Sequence, residues 1–218
     1  GGGSILGDKT RLTTLAANPN CFIRPSPSKS VLGGLAPHTE SVSHLVSCLY
    51  PLVLIETVGL GQSELDISQV ADMVVYLVTP NSGDDVQAMK KGILEVADVI
   101  CITKADGSNI AAAKQAASDF RNSAFCNMTG KQQPTVIVTS SVTKKGIEKL
   151  YIAIEEFRIH QSNIWMKRRQ TQGEYWLWRH LQSALLDRIK EWSEEHRNDI
   201  MDITKLPPRV AAYKLLDK

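Results

Sequence analysis

Short apolar runs rich in Val and Ile, each closed by polar or turn-forming residues, recur at residues 21–24, 52–56, 73–79, 99–103 and 135–139. Runs of this length and composition predict buried strands. Between them, residues 40–49, 65–70, 85–96, 110–125 and 145–157 carry apolar positions at helical spacing. Strands alternating with helices predict an α/β fold, a parallel sheet covered on both faces. From about residue 160 the pattern changes. Trp165, Tyr175, Trp176, Trp178, Leu181, Leu185 and Ile189 recur at mostly helical spacing in a charged background, which predicts an amphipathic helical extension whose aromatic stripe packs on another helix or subunit. The expected division is a domain over 1–158 and a helical arm over 159–218.

Open parallel sheets bind their ligands at the carboxyl ends of the strands, so the residues directly after each run are the candidates for chemistry. After residues 99–102 comes Thr103-Lys104-Ala105-Asp106-Gly107. A carboxylate two residues past the lysine can accept from both the ring N–H and the exocyclic amine of guanine, a pair of donors adenine does not offer. A lysine and an aspartate in a strand-to-helix turn are common enough that the tetrapeptide alone decides little. After residues 52–55 comes Glu56-Thr57-Val58-Gly59-Leu60-Gly61-Gln62-Ser63-Glu64. Its glycines free the backbone to approach a phosphate, and Glu56 could hold magnesium through water; a tight turn with a surface acid is the other reading. Ser140 and Ser141 follow the run 135–139, where they would complete a base pocket opposite Asp106.

Composition narrows the classes. With 25 basic and 23 acidic residues, the net charge of +2 leaves no block of one sign for nucleic acid or a membrane surface. The short cluster Lys167, Arg168, Arg169 is expected to be a solvated helix face. The four cysteines show neither metal-ligand spacing nor the density of a disulfide scaffold, and Cys101, inside the run Val-Ile-Cys-Ile-Thr, is expected to act as a small core residue. No apolar stretch is long enough to span a bilayer. The opening Gly1-Gly2-Gly3 looks like a cut in a longer chain.

Taken together and in order, the segments 2–11, 22–27 and 32–34, the 56–64 run, Gly83 to Gly92, the 103–107 loop, Lys167-Arg168-Arg169-Gln170 and Tyr175-Trp176-Leu177-Trp178 closely resemble the family of MeaB and the methylmalonic aciduria type A protein. The resemblance covers nearly the whole chain. It implies a P-loop NTPase fold of the signal-recognition and metallochaperone class with a C-terminal dimerisation arm. It also implies a GTP-hydrolysing chaperone that assists adenosylcobalamin loading of methylmalonyl-CoA mutase and protects that enzyme. The ligands implied are GTP or GDP with Mg2+. Asp8 and Glu56 would lie near the metal and the hydrolytic water, and Lys104 and Asp106 on guanine with Ser140 and Ser141. Gly59, Gly61 and Gln62 would face phosphate, with Asp84, Gln87 and Lys90 in a switch. The partners implied are methylmalonyl-CoA mutase and a second copy of the chain, in the mitochondrial matrix or the bacterial cytoplasm according to source.

One expected part is missing from the string. Phosphate binding in this fold uses Gly-x-x-x-x-Gly-Lys-Ser/Thr, and the 218 residues contain no such motif. Gly130-Lys131-Gln132 lacks the preceding glycine and the hydroxyl, and it precedes a strand instead of opening a helix. The family places its loop upstream of the segment matching Gly1. The chain is therefore expected to be an incomplete GTPase, or a non-catalytic interaction module that keeps the switch and arm. A related nucleotide enzyme serving another metalloprotein or a transport system is the remaining alternative.

Overall fold

The computed structural model describes residues 12–25, 38–57, 67–80, 94–127, 133–197, 200 and 206–216. Within these, short helices α1 (Thr13–Ala16) and α2 (Thr39–Ser47) precede strands β1 (Val75–Val78) and β2 (Val99–Ile102). A 3-10 turn (Gly107–Asn109) leads into α3 (Ile110–Asn127), followed by β3 (Thr135–Val138), α4 (Ile147–His160), the long α5 (Ser162–Glu195) and α6 (Pro208–Leu216). The chain divides into two compact units, Gly1–Arg169 and Gln170–Lys218.

The first unit is built on a three-stranded sheet in the order β1-β2-β3, parallel throughout. Val75, Val99 and Thr135 lie in one row, and Val78, Ile102 and Val138 in another, so the strands start and stop level. β2 is central, and all its residues are buried, which is why its sequence is a continuous apolar run and not an alternating one. Ala113, Ala117 and Phe120, spaced to share one face of α3, form a core with Val78, Leu94, Ala97, Ile100 and Ile102. The two alanines keep that face of the helix flat. Val99, Cys101 and Ile137 point to the other face of the sheet by the alternation of strand side chains.

Two expected strands are not formed. Residues 21–25 and 52–57 have no regular structure, and Leu52 and Leu54 are 53% and 80% exposed. A strand needs a ladder partner as well as apolar residues, because its N–H and C=O groups must be paired. Among the described residues neither segment has one. Leu77, in mid-strand β1, is also 63% exposed, on the sheet face opposite α3. The expected helix over 85–96 is described only at its end, residues 94–96, and of the segment 65–70 only residues 67–70 are described, a helix end and turn closed by Val70 and Ala71 N–H bonds to Ile67 O.

The amino ends of β1 and β2 are tied by charge. Asp98 accepts from Val74 N–H at 2.8 Å and takes a two-pronged contact from Arg168 at 2.7 and 2.8 Å. Arg168 also donates to Asp72 O at 2.7 Å, while Arg169 grips the Asp72 carboxylate at 2.6 and 2.7 Å. Phe157 lies under the Arg168 guanidinium and Trp165 under that of Arg169. This corrects the expected solvated face: Arg168 is two-thirds buried along its side chain, and the hydrogen bond it donates to Asp98 raises its pKa above the ordinary guanidinium value. The sequence held a signal. Val-Ala-Asp stands before both strands, at residues 70–72 and 96–98, which puts an acid at the foot of each.

In the second unit, Trp178, Leu181, Leu185 and Ile189 of α5 follow helical spacing and are each exposed. Trp192 stacks on His196 with ring centroids 4.5 Å apart. No helix among the described residues is long and apolar enough to cross a membrane.

Arg168→Ala is expected to lower unfolding free energy by about 2 kcal/mol, the usual cost of losing charge-assisted hydrogen bonds at a partly buried site. Arg169→Ala, at a more exposed pair, is expected to cost less than about 1 kcal/mol; urea melts of both variants check the ranking. Burial pushes the Cys101 thiol pKa up, so the folded chain keeps its proton to higher pH than the unfolded chain does, and stability falls as pH rises past the ordinary thiol range. Iodoacetamide at pH 8 is expected to label exposed Cys48 rapidly and Cys101 only after unfolding, read by peptide mass spectrometry.

Candidate guanine-reading site

The level strand ends create a shelf, and the backbone ladder runs past them. Thr103 N–H donates to Val78 O at 2.7 Å, and Thr139 N–H donates to Ile102 O at 2.7 Å. Ala105 N–H then reaches across to Thr139 O at 3.0 Å. The loop after β2 is thus stitched to β3 before it turns into α3. Lys104 makes the turn at φ +55°, a left-handed conformation that a lysine adopts only when its neighbours are held. The lysine side chain is exposed, and Asp106 is half-buried beside it.

Asp106 is positioned by Ser140. The Ser140 hydroxyl donates to Asp106 Oδ2 at 2.5 Å and accepts from Thr143 N–H at 3.1 Å, while Ser140 N–H bonds Lys145 O at 2.9 Å. Ser140 is fully buried, so its polar atoms need these partners. Among the described residues, Asp106 Oδ1 has no hydrogen-bond partner beside Ser140 on Oδ2, and an ionised carboxylate is acceptor-only. That chemistry suits a ligand edge with two adjacent N–H donors, as guanine has.

Gly146 closes the second loop at φ +76° ahead of α4. A Cβ there would lie 2.1 Å from Val138 O, so only glycine lets this turn sit against the end of β3. Gly107, also left-handed, has open space around the position a Cβ would take.

The structure therefore brings Asp106 into direct contact with Ser140 and carries Lys104 on the same loop. Ser141 follows in an exposed turn. Glu56 is exposed at the end of the irregular stretch 51–57, and no hydrogen bond or ion pair among the described residues joins it to the Asp106 loop. Asp8, Gly59, Gly61, Gln62, Asp84, Gln87 and Lys90 lie outside the described residues. Among the described residues, no three His, Cys, Asp or Glu side chains gather into a metal site. Glu56 by itself offers the single carboxylate that magnesium takes alongside phosphate oxygens and water. Sequence reasoning missed Thr143 and Gly146; the signals were Ser-x-x-Thr at 140–143 and a glycine opening the helical pattern at 147.

Comparisons with known proteins show the family. The family model described as methylmalonyl Co-A mutase-associated GTPase MeaB matches residues 1–194. A probable GTPase of Mycobacterium tuberculosis is 36% identical, with 99% of this chain and 67% of the relative covered. The mouse protein named methylmalonic aciduria type A homolog, mitochondrial, is 38% identical over 87% of this chain and 47% of its own length. The GTPase ArgK of Escherichia coli is 34% identical over 98% of this chain and 68% of its own. A crystal structure of an LAO/AO transport system kinase superposes with a TM-score of 0.67 at 28% identity, covering 93% of this chain and 67% of that one. The chain thus spans from about half to two thirds of the length of these proteins, and its sheet is part of a P-loop GTPase fold. A parallel sheet with a serine-held aspartate at its carboxyl edge, and a family match along nearly its whole length, mean that this chain belongs to the MeaB family of methylmalonyl-CoA mutase-associated GTPases.

Proposed function

We propose that this chain supplies the base-reading half of a GTP site, with Asp106 accepting from guanine N1–H and the 2-amino group and the Lys104 stem lying along the base. The observation that carries the reading is the Ser140 to Asp106 hydrogen bond, which fixes the carboxylate at the end of the sheet before any ligand arrives. A fixed acceptor loses little freedom on binding, so its contact is spent on selectivity. Ser140 and Ser141 border the base. Bound Mg2+ would be held by Glu56 and Asp8 with phosphate oxygens, and it would stabilise charge on the phosphates during hydrolysis.

With GTP bound, Gly59, Gly61 and Gln62 would approach the γ-phosphate. Asp84, Gln87 and Lys90 report its presence to methylmalonyl-CoA mutase, whose adenosylcobalamin loading and protection the GTPase assists. The mouse relative's name and the family description support that client. Residues 1–158 form the nucleotide domain and 159–218 a dimerisation arm, with the exposed face Trp178, Leu181, Leu185 and Ile189 taking a second copy. The compartment is the mitochondrial matrix for a eukaryotic source and the bacterial cytoplasm otherwise.

The 218 residues carry no phosphate-loop string, which favours a second reading for this polypeptide by itself: a non-catalytic module that binds the mutase through its switch and arm. Isothermal titration with a non-hydrolysable GTP analogue is expected to give a Kd weaker than about 10 μM and no measurable hydrolysis. Binding tighter than that contradicts the half-site reading. Weak binding that GDP competes and ADP does not supports guanine recognition, whereas equal competition removes it.

A further inference from the structure

Asp106 is followed by Gly107, and the chain contains no other Asp-Gly pair and no Asn-Gly pair. An aspartate before glycine is open to a reaction of its own side chain. The amide nitrogen of the next residue attacks Cγ and gives up its proton, a carboxyl oxygen leaves as water, and a five-membered succinimide closes. Water then opens the ring at either carbonyl. Opening at the α-carbonyl yields isoaspartate, in which the main chain runs through Cβ and the carboxylate hangs directly from Cα. One water is lost and one is gained, so no other reactant enters.

Gly107 is suited to be the nucleophile. It is exposed, and nothing lies within 4 Å of the place a Cβ would take. Among the described residues its N–H has no hydrogen-bond partner. Its φ of +52° is one that glycine reaches at no steric cost. Every other aspartate in the chain precedes a residue with a side chain to crowd the attack.

The backbone holds the reaction back. Asp106 sits at φ −134° and ψ 168°, which leaves the Gly107 nitrogen staggered from Asp106 Cβ. The succinimide ring is nearly flat and needs the two eclipsed, a turn of roughly 60° about the Cα–C bond. That turn works against the ties on the loop: Ser140 Oγ–H to Asp106 Oδ2 at 2.5 Å, Asn109 N–H to Asp106 O at 3.0 Å, and Ala105 N–H to Thr139 O at 3.0 Å. Of these, the Ser140 bond alone grips the reacting carboxylate. Ser140 is fully buried, so water does not compete for its hydroxyl.

We propose that Asp106-Gly107 is a site of spontaneous isomerisation to isoaspartate, and that the Ser140 hydroxyl keeps the rate low by holding the carboxylate in place. The hydroxyl thus preserves the acid chemically as well as positioning it. The chemistry does not depend on what the loop binds, but its consequence does. On the guanine reading, the isomer has a main chain one carbon longer and a side chain one carbon shorter, which takes the acceptor oxygens off the base.

The test ages the whole chain at 37 °C and follows residue 106 by digestion with endoprotease Asp-N, which does not cut before isoaspartate, and mass spectrometry of the uncut peptide. Chain held unfolded in guanidinium chloride gives the unrestrained rate. Folded wild type is expected to convert at least about tenfold more slowly than that, and Ser140→Ala about tenfold faster than folded wild type, the change in loop population that one lost hydrogen bond allows. Thermal unfolding checks that the variant is folded at the ageing temperature. Gly107→Asn keeps a residue that tolerates the left-handed conformation and adds a side chain; it is expected to convert several-fold more slowly than wild type, and it carries the test if Ser140→Ala does not fold. A folded Ser140→Ala chain that ages at the wild-type rate overturns the proposal, as does a Gly107→Asn chain that ages like wild type. Aged wild-type chain enriched in the isomer is expected to lose preference for GDP over ADP. If the isomer forms as expected and that preference survives, the isomerisation stands and the guanine reading fails.

Discussion

The contact of Asp106 with Ser140 depends on the level, parallel register of β1, β2 and β3. Because Val78, Ile102 and Val138 share a row, the residues after them emerge at one height. The ladder can then continue for one more residue on each side, through Thr103 to Val78 and Thr139 to Ile102. A slip of one residue would turn Ile100 and Ile102 away from Ala113, Ala117 and Phe120 and would separate Asp106 from Ser140. Core packing and site geometry are therefore set by the same constraint. The opposite edge is held differently, by Asp72 and Asp98 under Arg168 and Arg169. Apolar packing fixes the middle of the sheet, backbone and hydroxyl bonds its carboxyl end, and charge its amino end.

The central strands were legible because burial on both faces leaves an unmistakable record: Val-Ile-Cys-Ile has no polar position to spare. The helices after them were legible from spacing, and the loop that carries Lys104 and Asp106 from its place directly after a buried run. Residues 52–57 misled because an apolar run reports a wish to be buried, and the sheet partner that would satisfy it is a property of the fold. Arg168 misled for a related reason. A basic triplet looks the same in sequence whether it meets water or two acids about 70 and 97 positions away. Gly146 was visible as a glycine, but the carbonyl that excludes every other residue there comes from Val138.

Asp106 and its supports make a specific chemical object. A buried hydroxyl holds one carboxylate oxygen, the paired loops hold the backbone, and among the described residues the other oxygen has no hydrogen-bond partner. On the proposed reading such a site selects by hydrogen-bond pattern and not by shape, and a mismatched base that leaves the acceptor unpaired costs about 1–3 kcal/mol. The phosphates contribute most of the affinity in GTPases, and the base contacts contribute the choice between nucleotides. Base choice is the task proposed above for the Asp106 loop.

The most direct test of that assignment exchanges the base. Xanthine replaces the guanine 2-amino donor with a carbonyl acceptor, and Asp106→Asn replaces one carboxylate acceptor with an amide donor. In paired competition measurements the wild-type chain is predicted to favour GDP over xanthosine diphosphate, and the Asp106→Asn chain to favour xanthosine diphosphate. An Asp106→Asn chain that folds and still favours GDP would contradict the account.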